Sequence, residues 1–373
     1  MSGLSVVVPV KGRPYCLEKL LKSIEEAKKS TYYPIEVIVV DSSEKETKRV
    51  TEALCKKFQA RYYYAQIGVS EARNYGTKIG KLPIVFFVDS DCEVEWNLFN
   101  EHVKCYTDRQ IGGCVGLTEF RGNKTWLWKI IEKMPFLQPF QWARWKSYVS
   151  WGPCTNISFR KEILEKANGF ESVMGGTREG GEDVDIGYRI NSLGHRISCN
   201  PNAKVYHTRE TWAGLPQFIE RTFRFGRAEY HLMKKHPENI FLDIPKNSLI
   251  FSFLLILFIY QVFINSSLLY ITIPFAWLLI AIFVQSLLSL KKHLIRGNWK
   301  DIAPICFAML FDLVFEFGTV IECLRKRDLK LLPYKFVYTE DQQLSRWHWG
   351  VIKMWSIITS LFALFIVLLI SGR

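Results

Sequence analysis

Short apolar runs alternate with amphipathic segments from residue 4 to about residue 110. The apolar runs, such as "LSVVVPV" at 4–10, leave few polar positions on either face, which is typical of strands in a parallel sheet covered by helices. Four strands are predicted, at 4–10, 35–41, 61–66 and 84–89. Three helices are predicted between them, at 16–29, 45–58 and 70–80. Because right-handed crossovers join such strands, the pattern predicts an α/β nucleotide-binding architecture.

The apolar runs become much longer beyond about residue 240. A helix that crosses a bilayer needs roughly 20 apolar residues. On this basis we predict three transmembrane spans, at about 248–264, 268–290 and 351–370. With 373 residues, the chain is long enough for one globular unit and such a membrane region.

A fourth apolar run, at 302–324, contains Asp312, Glu316 and Glu322. A charged side chain at the centre of a bilayer costs a few kcal/mol. Lysines and arginines flank this run on both sides, so the positive-inside rule places both of its ends in the cytoplasm. We therefore predict that the segment lies in the membrane interface or is re-entrant.

These patterns predict three parts of the chain. Residues 1–213 would form a catalytic domain, 214–247 an interfacial amphipathic helix and linker, and 248–373 a transmembrane region. The run at 4–10 is too short for the apolar part of a secretory signal. The predicted localisation is an integral membrane protein whose catalytic domain lies on the cytoplasmic face of the cell membrane.

Charge and cysteine content narrow the possible partners. The net charge of +13 fits attraction to a membrane surface or to a polyanionic substrate, and no known nucleic-acid-binding motif accompanies it. We therefore predict no nucleic-acid partner. The nine cysteines are odd in number, scattered and without a CxxC pair, which predicts reduced thiols and neither a zinc site nor a disulfide framework.

Polar side chains follow the predicted strands at one end of the sheet. They are Pro9 to Arg13, Asp41, Arg73 with Asn74, and Asp89-Ser90-Asp91. Ligands of open α/β sheets bind outside the carboxyl ends of the strands, so these side chains are candidates for one site. Polar residues that simply end a strand explain any one of them alone.

The pair Asp89 and Asp91 concentrates negative charge in a small volume. Carboxylates at i and i+2 point the same way if the chain stays extended beyond the strand. A divalent cation, Mg²⁺ or Mn²⁺, would neutralise the pair and bridge to a diphosphate. A D-x-D sequence is weak by itself, because it occurs by chance in loops.

Several motifs together resemble family 2 glycosyltransferases of the GT-A fold. The order and spacing of the family are found in "VVVPVKGR", "VIVVDSS", "GVSEARNYG", "FFVDSDCEV", "TNISFRKEIL" with "NGF", and "GGEDVDIGYRI". The resemblance covers residues 4 to about 230 and implies a GT-A, Rossmann-like domain that binds a nucleotide-diphospho-sugar.

The resemblance also implies roles for the donor-binding residues. Pro9, Lys11 and Arg13 would lie at the nucleobase and ribose, and Asp41 would hydrogen-bond the base. Arg73 would lie near the diphosphate, with Asn74 and Ser90 in the same donor site. The metal would be held by Asp89 and Asp91.

The second acidic cluster is Glu182-Asp183, followed by Asp185. Inverting transfer requires a base for the acceptor hydroxyl. The resemblance assigns this role to Asp183, while Glu182 would position the acceptor or the base. Acids in a first helical turn are also ordinary partners of the helix dipole.

Three further residues match the family more loosely. His207 in "AKVYH" would be an additional metal ligand, since a neutral imidazole suits Mn²⁺, although a lone histidine is often structural. Trp151 and Asn156 resemble the pocket for acceptor and donor sugar. A tryptophan is equally at home in a core.

A basic helix is predicted at 220–238, just before the first apolar run. Its cations Arg221, Arg224 and Arg227 would face lipid phosphates or the donor diphosphate, or form a solvated face. Processive polysaccharide synthases of the family have Q-x-x-R-W near this point. The sequence here is "RTFRF" (221–225), without the Gln and Trp, and a literal "QLSRW" occurs only at 343–347.

The sequence therefore predicts an inverting, metal-dependent glycosyltransferase with a lipid-linked saccharide or glycolipid acceptor. The alternatives are a polyprenyl-phosphate sugar synthase, which would need no base for an ionised acceptor phosphate, and a processive polysaccharide synthase. Outside this chemistry stand an inactive membrane scaffold and a nucleotidyltransferase. The intact acids disfavour the first, and the single glycine of "PVKGRP" disfavours the second.

Overall fold

The structure is a computed structural model that describes residues 3–174, 180–243 and 302–338, together with a few residues between 246 and 259. Its contacts divide the chain into two compact units. One contains residues 1–128 and 135–214, and the other contains residues 129–134 and 215–373.

The first unit begins with the predicted alternation of strands and helices. In chain order the elements are β1 (Leu4–Val10), α1 (Pro14–Lys29), β2 (Ile35–Asp41), α2 (Lys45–Lys57), β3 (Arg61–Tyr64), α3 (Val69–Ile79) and β4 (Ile84–Phe87). Strands β3 and β4 each end two residues earlier than predicted, and the polar residues after β4 begin at Asp89. Element type is as predicted in all seven cases.

The remaining elements of the first unit follow a less regular pattern. They are β5 (Cys92–Val94), α4 (Leu98–Lys104), β6 (Ile111–Arg121), α5 (Trp126–Ile131), β7 (Tyr148–Val149), β8 (Ile157–Arg160), α6 (Lys161–Lys166), α7 (Glu182–Ser192) and β9 (Arg196–Thr208). Short 3₁₀ segments lie at Cys105–Thr107, Pro135–Arg144 and Glu210–Trp212. Helix α5 runs from the first unit into the second.

The strands of the first unit form one mixed sheet. Its order is β3-β2-β1-β4-β8-β6-β9-β5, and β7 pairs with β9 beside this path. The half containing β1 to β4 is parallel, as the sequence predicts. In the other half β8 runs antiparallel to both β4 and β6, and β5 runs antiparallel to β9. The sheet is therefore not parallel throughout.

Helix α1 shows why the first half folds this way. Its apolar positions Leu17, Leu20, Leu21 and Ile24 recur at helical spacing and are buried in one cluster with the apolar face of β1 and β2. Each fully buried leucine or isoleucine contributes about 1.5–3 kcal/mol. On the other side, α3 lies so close to β1 that a Cβ at Gly76 would stand 2.4 Å from Val7 Cγ1.

The register of the parallel strands brings their carboxyl ends together. Val10 at the end of β1 pairs with Asp41 at the end of β2, and Val7 pairs with Phe87 at the end of β4. The loops that follow these strands therefore start at the same edge of the sheet. This edge contains the predicted site.

The second unit contains α8 (Leu215–Lys235), β10 (Ile240–Leu242), α9 (Ile302–Arg325) and β11 (Tyr334–Phe336), with 3₁₀ segments at Pro237–Asn239 and Leu329–Leu331. Strands β10 and β11 pair antiparallel. Helices α8 and α9 cross at Gly226 and Gly318, and a Cβ at either glycine would lie within 2.2 Å of a carbonyl oxygen of the other helix. Only glycine permits this approach.

Acidic residues of the apolar run at 302–324 are paired within the second unit. Glu322 is buried and accepts hydrogen bonds from Arg227 Nε at 2.7 Å and from His231 Nε2 at 3.2 Å. Glu316 is also buried, and Lys335 Nζ donates to it at 2.6 Å. These partners offset part of the cost of burying the two carboxylates, and the interfacial or re-entrant placement of the run stays a prediction.

Within the described ranges, no helix combines the length and the apolar composition that a bilayer crossing requires. The predicted spans at 268–290 and 351–370 lie outside these ranges, as does most of the span at 248–264. The "QLSRW" segment lies outside them too.

One expectation about the cysteines is wrong. The structure joins Cys105, directly after α4, by a disulfide to Cys114 in β6, nine positions later in the chain. The other described cysteines are free thiols, as predicted; they are Cys16, Cys55, Cys92, Cys154, Cys199 and Cys323.

Candidate active site

The acid pair follows β4 and faces three cationic or basic side chains. Asp91 Oδ2 lies 3.2 Å from Arg13 Nη1, and Asp91 Oδ1 lies 3.4 Å from His207 Nε2. Asp89 Oδ1 lies 3.6 Å from Arg73 Nη2. Burial raises the pKa of Asp89, the nearby Arg73 lowers it and the charge of Asp91 raises it further. The two carboxylates thus share one electrostatic environment.

Arg73 links this pair to the second acidic cluster. It lies on α3 with only 4% of its surface exposed, and its Nη1 donates a hydrogen bond of 2.8 Å to Glu182 Oε1. Its Nη2 is the group that faces Asp89. A buried guanidinium is costly unless it is paired, and here carboxylates from two different elements flank it. Residues 89 and 182 are therefore parts of one site.

Asp183 lies in the first turn of α7. The helix begins after Gly181, whose φ of +86° lets the chain turn sharply out of the preceding loop. Burial raises the pKa of Asp183 to about 7, the neighbouring Glu182 adds to the increase, and Arg73 opposes it. A carboxylate whose pKa is near neutrality is suited to accept a proton at physiological pH.

Asp185, two residues further on, has a structural environment instead. It has no exposed surface, and Arg189 Nη2 and Nε donate to its Oδ2 at 2.6 and 3.0 Å. Arg189 in turn donates to the carbonyl of Ala167. The acid therefore fixes α7 to the turn after α6, so the structural interpretation of this cluster holds for Asp185.

His207 and Asp91 form a candidate metal centre together with Cys92. One ligand atom of each residue lies within 4.8 Å of the other two. The Nδ1–H of His207 donates to Thr208 O at 2.7 Å, because a carbonyl oxygen can only accept. In the neutral imidazole the Nε2 lone pair then faces Asp91 Oδ1. Two acceptors that face each other at 3.4 Å fit a shared cation.

Cys92 was not among the predicted site residues. It reaches the site because β5 pairs antiparallel with β9, which places Cys92 directly opposite His207. The sequence shows a cysteine next to the acid pair, but the three-residue strand β5 gives no periodic signal from which this pairing could be predicted.

The loop after β1 contains the predicted ribose and base contacts. Pro9 is half-buried, and Lys11 and Arg13 are exposed. Gly12 and Arg13 both have left-handed φ values, +74° and +58°, which turn the loop so that Gly12 N donates to Ser43 Oγ at 2.7 Å. Of the predicted loop residues, Arg13 is the one whose side chain reaches the acid pair.

Asp41, predicted to hydrogen-bond a nucleobase, forms hydrogen bonds within the chain, and the base contact stays a prediction. It has no exposed surface, and both of its carboxylate oxygens accept hydrogen bonds within the chain. Ser43 N donates to Oδ1 at 2.8 Å, and the hydroxyl of Tyr62 donates to Oδ2 at 2.9 Å. The carboxylate therefore stabilises the loop after β2.

Asn74 also bonds within the chain. Its Nδ2 donates to Phe170 O at 2.6 Å and its Oδ1 accepts from Phe170 N at 2.7 Å. This double contact holds the turn at Gly169, whose φ is +66° and where a Cβ would lie 2.5 Å from Asn74 Oδ1. Asn74 thus explains the "NGF" motif, and its contact with a donor stays a prediction. Ser90 is half-buried between the two acids.

The two predicted acceptor residues are both buried. Asn156 is 1% exposed, donates to the carbonyls of Leu117 and Ala203, and accepts from the ring of His102. Asn156 therefore links β6, β9 and α4, and its contact with a sugar stays a prediction. Trp151 is 8% exposed and packs edge to face on Trp142, the core alternative considered for it.

Arg224, predicted to face a phosphate, lies on α8 in the second unit. Its Nη1 is 3.7 Å from Glu220 Oε1, one helical turn earlier. The phosphate contact stays a prediction.

The family assignment follows from comparison with known proteins. The sequence model of the glycosyl transferase family 2 matches residues 5–167, which contain β1 to β4, the acid pair and Arg73. Residues 5–167 are a family 2 glycosyltransferase domain. The enzyme class predicted from the sequence is confirmed by this match. Helix α7 and His207 follow the matched region, so their part in the site rests on the geometry above.

One curated relative is similar to part of the chain. The O-antigen biosynthesis protein RfbC of Myxococcus xanthus is 24% identical over 227 residues, which are 55% of this chain and 17% of that protein. The chain thus spans about a sixth of the length of this curated relative.

Two solved glycosyltransferase structures overlap with the chain loosely. The mannosyltransferase PcManGT from Pyrobaculum calidifontis, in complex with GDP-Man and Mn²⁺, is 14% identical at a TM-score of 0.47, with 87% of this chain and 88% of that chain covered. GalNAc-T7 with UDP, GalNAc and Mn²⁺ is 19% identical at a TM-score of 0.44, with 61% of this chain and 47% of that chain covered. Scores below 0.5 establish no shared fold, so the assignment rests on the family match.

Proposed function

We propose that this domain transfers one sugar, with inversion, from a nucleotide-diphosphate donor to the hydroxyl of a membrane-associated acceptor. The observation that supports this most directly is the bridge made by Arg73. It places the acids after β4, where a cation and a diphosphate would bind, next to the helix that starts with Glu182 and Asp183. Inverting transfer requires a stabilised leaving group and a base that accepts the proton of the acceptor hydroxyl.

Asp183 would act as the base. Its pKa of about 7 keeps a useful fraction of the carboxylate both ionised and basic at neutral pH. The acceptor oxygen would form a bond to the anomeric carbon while the bond from that carbon to the donor diphosphate breaks. The hydroxyl proton would pass to Asp183, and the electron pair of the broken bond would leave with the nucleoside diphosphate.

Arg73 and Arg13 would stabilise the departing diphosphate. Arg73 is fixed by its buried ion pairs, whereas Arg13 is exposed and lies on a turned loop beside Asp91. Asp91 and His207, with Asp89 next to them, offer oxygen and nitrogen ligands that fit a divalent cation, Mg²⁺ or Mn²⁺. When bound, such an ion would neutralise charge on the donor diphosphate.

The presence of a candidate base, Asp183, supports a hydroxyl acceptor rather than a phosphate acceptor. A polyprenyl phosphate is already ionised and needs no base, so a carboxyl group held near pKa 7 would have no function in such a reaction. For this reason we favour a lipid-linked saccharide or glycolipid over the polyprenyl-phosphate alternative.

The second unit supports membrane association. Helix α9 exposes apolar side chains such as Leu310, Ile321 and Leu324, and three consecutive cations, Arg325, Lys326 and Arg327, follow at its exposed end. An apolar face next to lysine and arginine suits an anionic membrane surface. We propose that the catalytic domain works on the cytoplasmic face and that the apolar segments outside the described residues anchor it.

A donor screen tests the proposal. Purified full-length protein would be incubated with a panel of nucleotide sugars and a membrane lipid extract, and released nucleoside diphosphate would be measured. We expect release with one donor that requires both lipid and a divalent metal and that stops with a chelator. Turnover that persists after chelation, or release that is independent of the lipid extract for every donor, would contradict it.

A further inference from the structure

The candidate metal centre contains a sulfur atom that the predicted site lacks. Cys92 Sγ, His207 Nε2 or Nδ1 and an Asp91 oxygen lie within 4.8 Å of one another. Cys92 and His207 are 1% and 4% exposed, so the rigid pairing of β5 with β9 sets their positions. Asp91 lies directly before β5 and completes the group.

The three residues differ in the metals that they prefer. Carboxylate oxygens suit Mg²⁺ and Mn²⁺, imidazole nitrogens suit most transition metals, and thiolates select softer ions such as Zn²⁺ and Cd²⁺. A set of one sulfur, one nitrogen and one oxygen resembles the three protein ligands of an open tetrahedral site more than the all-oxygen shell of Mg²⁺. The fourth position of such a site would remain open to a ligand.

The orientation of His207 supports this set. Because Nδ1–H is used by Thr208 O, Nε2 is the nitrogen that can bind a metal, and it faces Asp91 Oδ1 at 3.4 Å. Ligating histidines commonly have their other ring nitrogen fixed by a carbonyl in this way. The donor atoms therefore need only small displacements to reach a common ion.

We infer that Cys92 is a metal ligand and that the Asp91–Cys92–His207 centre takes thiophilic divalent cations, with Cd²⁺ as the clearest probe. On binding, the S–H bond of Cys92 is replaced by a sulfur–metal bond and the proton passes to the solvent. Such an ion uses Asp91 and His207 as well. It therefore excludes Mn²⁺ from the site, so that Cys92 makes the enzyme sensitive to inhibition by soft metals.

This inference rests on the metal centre of the proposed function but does not require sugar transfer. The experiment titrates Cd²⁺ into reduced full-length protein and follows the ultraviolet charge-transfer absorption that a sulfur–cadmium bond produces. We expect one equivalent to give this absorption in the wild-type protein and in Cys16→Ser, and none from this site in Cys92→Ser. Cys16 is a matched control because it is another free thiol near Asp91.

A second measurement tests whether Cd²⁺ and Mn²⁺ use the same ligands. Protein loaded with Mn²⁺ would be titrated with Cd²⁺ while the free Mn²⁺ is followed by electron paramagnetic resonance. We expect Cd²⁺ to release Mn²⁺ stoichiometrically from the wild-type protein. In Cys92→Ser, Cd²⁺ should compete with Mn²⁺ much more weakly. Near-ultraviolet circular dichroism of each variant shows whether it is folded; if Cys92→Ser is not, His207→Gln keeps the thiol and should weaken Cd²⁺ binding.

Three outcomes would overturn the inference. They are undiminished absorption in folded Cys92→Ser, loss of the absorption in Cys16→Ser instead, and Cd²⁺ binding that leaves Mn²⁺ in place. Failure of the proposed function gives a different result, in which no nucleotide sugar is turned over although Cd²⁺ binds through Cys92.

Discussion

At the scale of single residues, Asp183 shows how burial prepares a group for chemistry. Helix α7 starts at Glu182, and the positive end of the helix should favour an ionised acid there. Burial and the adjacent Glu182 nevertheless raise the pKa of Asp183 to about 7. The fully buried Asp185, two residues away, is instead paired with Arg189. Two acids in the first turn of one helix thus have different environments.

The raised pKa predicts a pH dependence. Since the ionised carboxylate is the base, kcat/KM should rise with pH through an apparent pKa near 7 and level off above it. Asp183→Asn should lower kcat about 10²–10⁴-fold and abolish this dependence. As a control, Asp108→Asn changes an exposed acid and should keep the wild-type profile. A wild-type profile that is flat between pH 5 and about 9 would contradict this assignment.

Ionisation of Asp183, which should raise activity as the pH rises, should lower the stability of the fold over the same pH range. An acid with a pKa of about 7 in the folded state and an ordinary value in the unfolded state destabilises the fold as pH rises through this interval. At pH 8 the neutral Asp183→Asn side chain avoids burying a charge. We therefore expect a melting temperature equal to or above that of the wild-type protein at about pH 8, and no such gain at about pH 4. Differential scanning fluorimetry at the two pH values measures this.

Arg13 shares Asp91 with the candidate metal centre. Its guanidinium lies 3.2 Å from Asp91 Oδ2 on an exposed loop, whereas His207 faces Oδ1, so its positive charge repels a divalent ion bound at the same carboxylate. We expect Arg13→Gln to bind Mn²⁺ more tightly than the wild-type protein and to bind the donor more weakly. Lys19→Gln, an exposed cation on α1, serves as the control. Weaker Mn²⁺ binding by Arg13→Gln, measured by paramagnetic resonance, would show that the arginine supports the ion.

At the scale of elements, the contact between α8 and α9 depends on two glycines. A Cβ at Gly226 would lie 1.8 Å from Phe315 O, and one at Gly318 would lie 2.2 Å from Phe223 O. The hydroxyl of Thr319 also lies 2.9 Å from Gly226 O. Since backbone atoms form these contacts, a rotamer change cannot relieve a clash.

Gly226→Val should therefore destabilise the second unit. Overpacking of this kind costs about 1–3 kcal/mol, which would appear as a lower melting temperature of the full-length protein in detergent. The matched control Gln217→Val introduces the same side chain at an exposed position of the same helix and should change stability by less than about 0.5 kcal/mol. Equal melting temperatures for both variants would show that the helices do not pack at the glycines.

The elements also show what the sequence could and could not predict. Buried strands and amphipathic helices have strong periodic signals, so β1 to β4 and the acid pair were predictable. The bridge from Arg73 to Glu182 joins residues 109 positions apart, and the pairing of Cys92 with His207 depends on a three-residue strand. Neither of these two contacts produces a pattern in the local sequence. Asp41, Asn74 and Asn156 form hydrogen bonds within the chain, as polar side chains near strand ends often do, and their ligand contacts stay predictions.

At the scale of the whole molecule, the chain combines a family 2 glycosyltransferase domain with a second part that contains long apolar runs. We propose that this second part anchors the protein in a membrane. Full-length protein should then stay in the membrane fraction after washing with about 1 M salt, which screens surface charge, and should be released by detergent. Release by salt alone would leave electrostatic attachment as the only membrane contact.

The most direct test of the account is donor binding compared with turnover in two variants. The donor found by the screen would be titrated calorimetrically, with Mn²⁺ present, into wild-type protein, Asp91→Asn and Asp183→Asn. We predict that Asp91→Asn loses donor affinity, whereas Asp183→Asn binds the donor as the wild-type protein does but does not turn it over. Full turnover by Asp183→Asn, or undiminished metal-dependent donor binding by Asp91→Asn, would contradict the division of the site into a leaving-group side and a base.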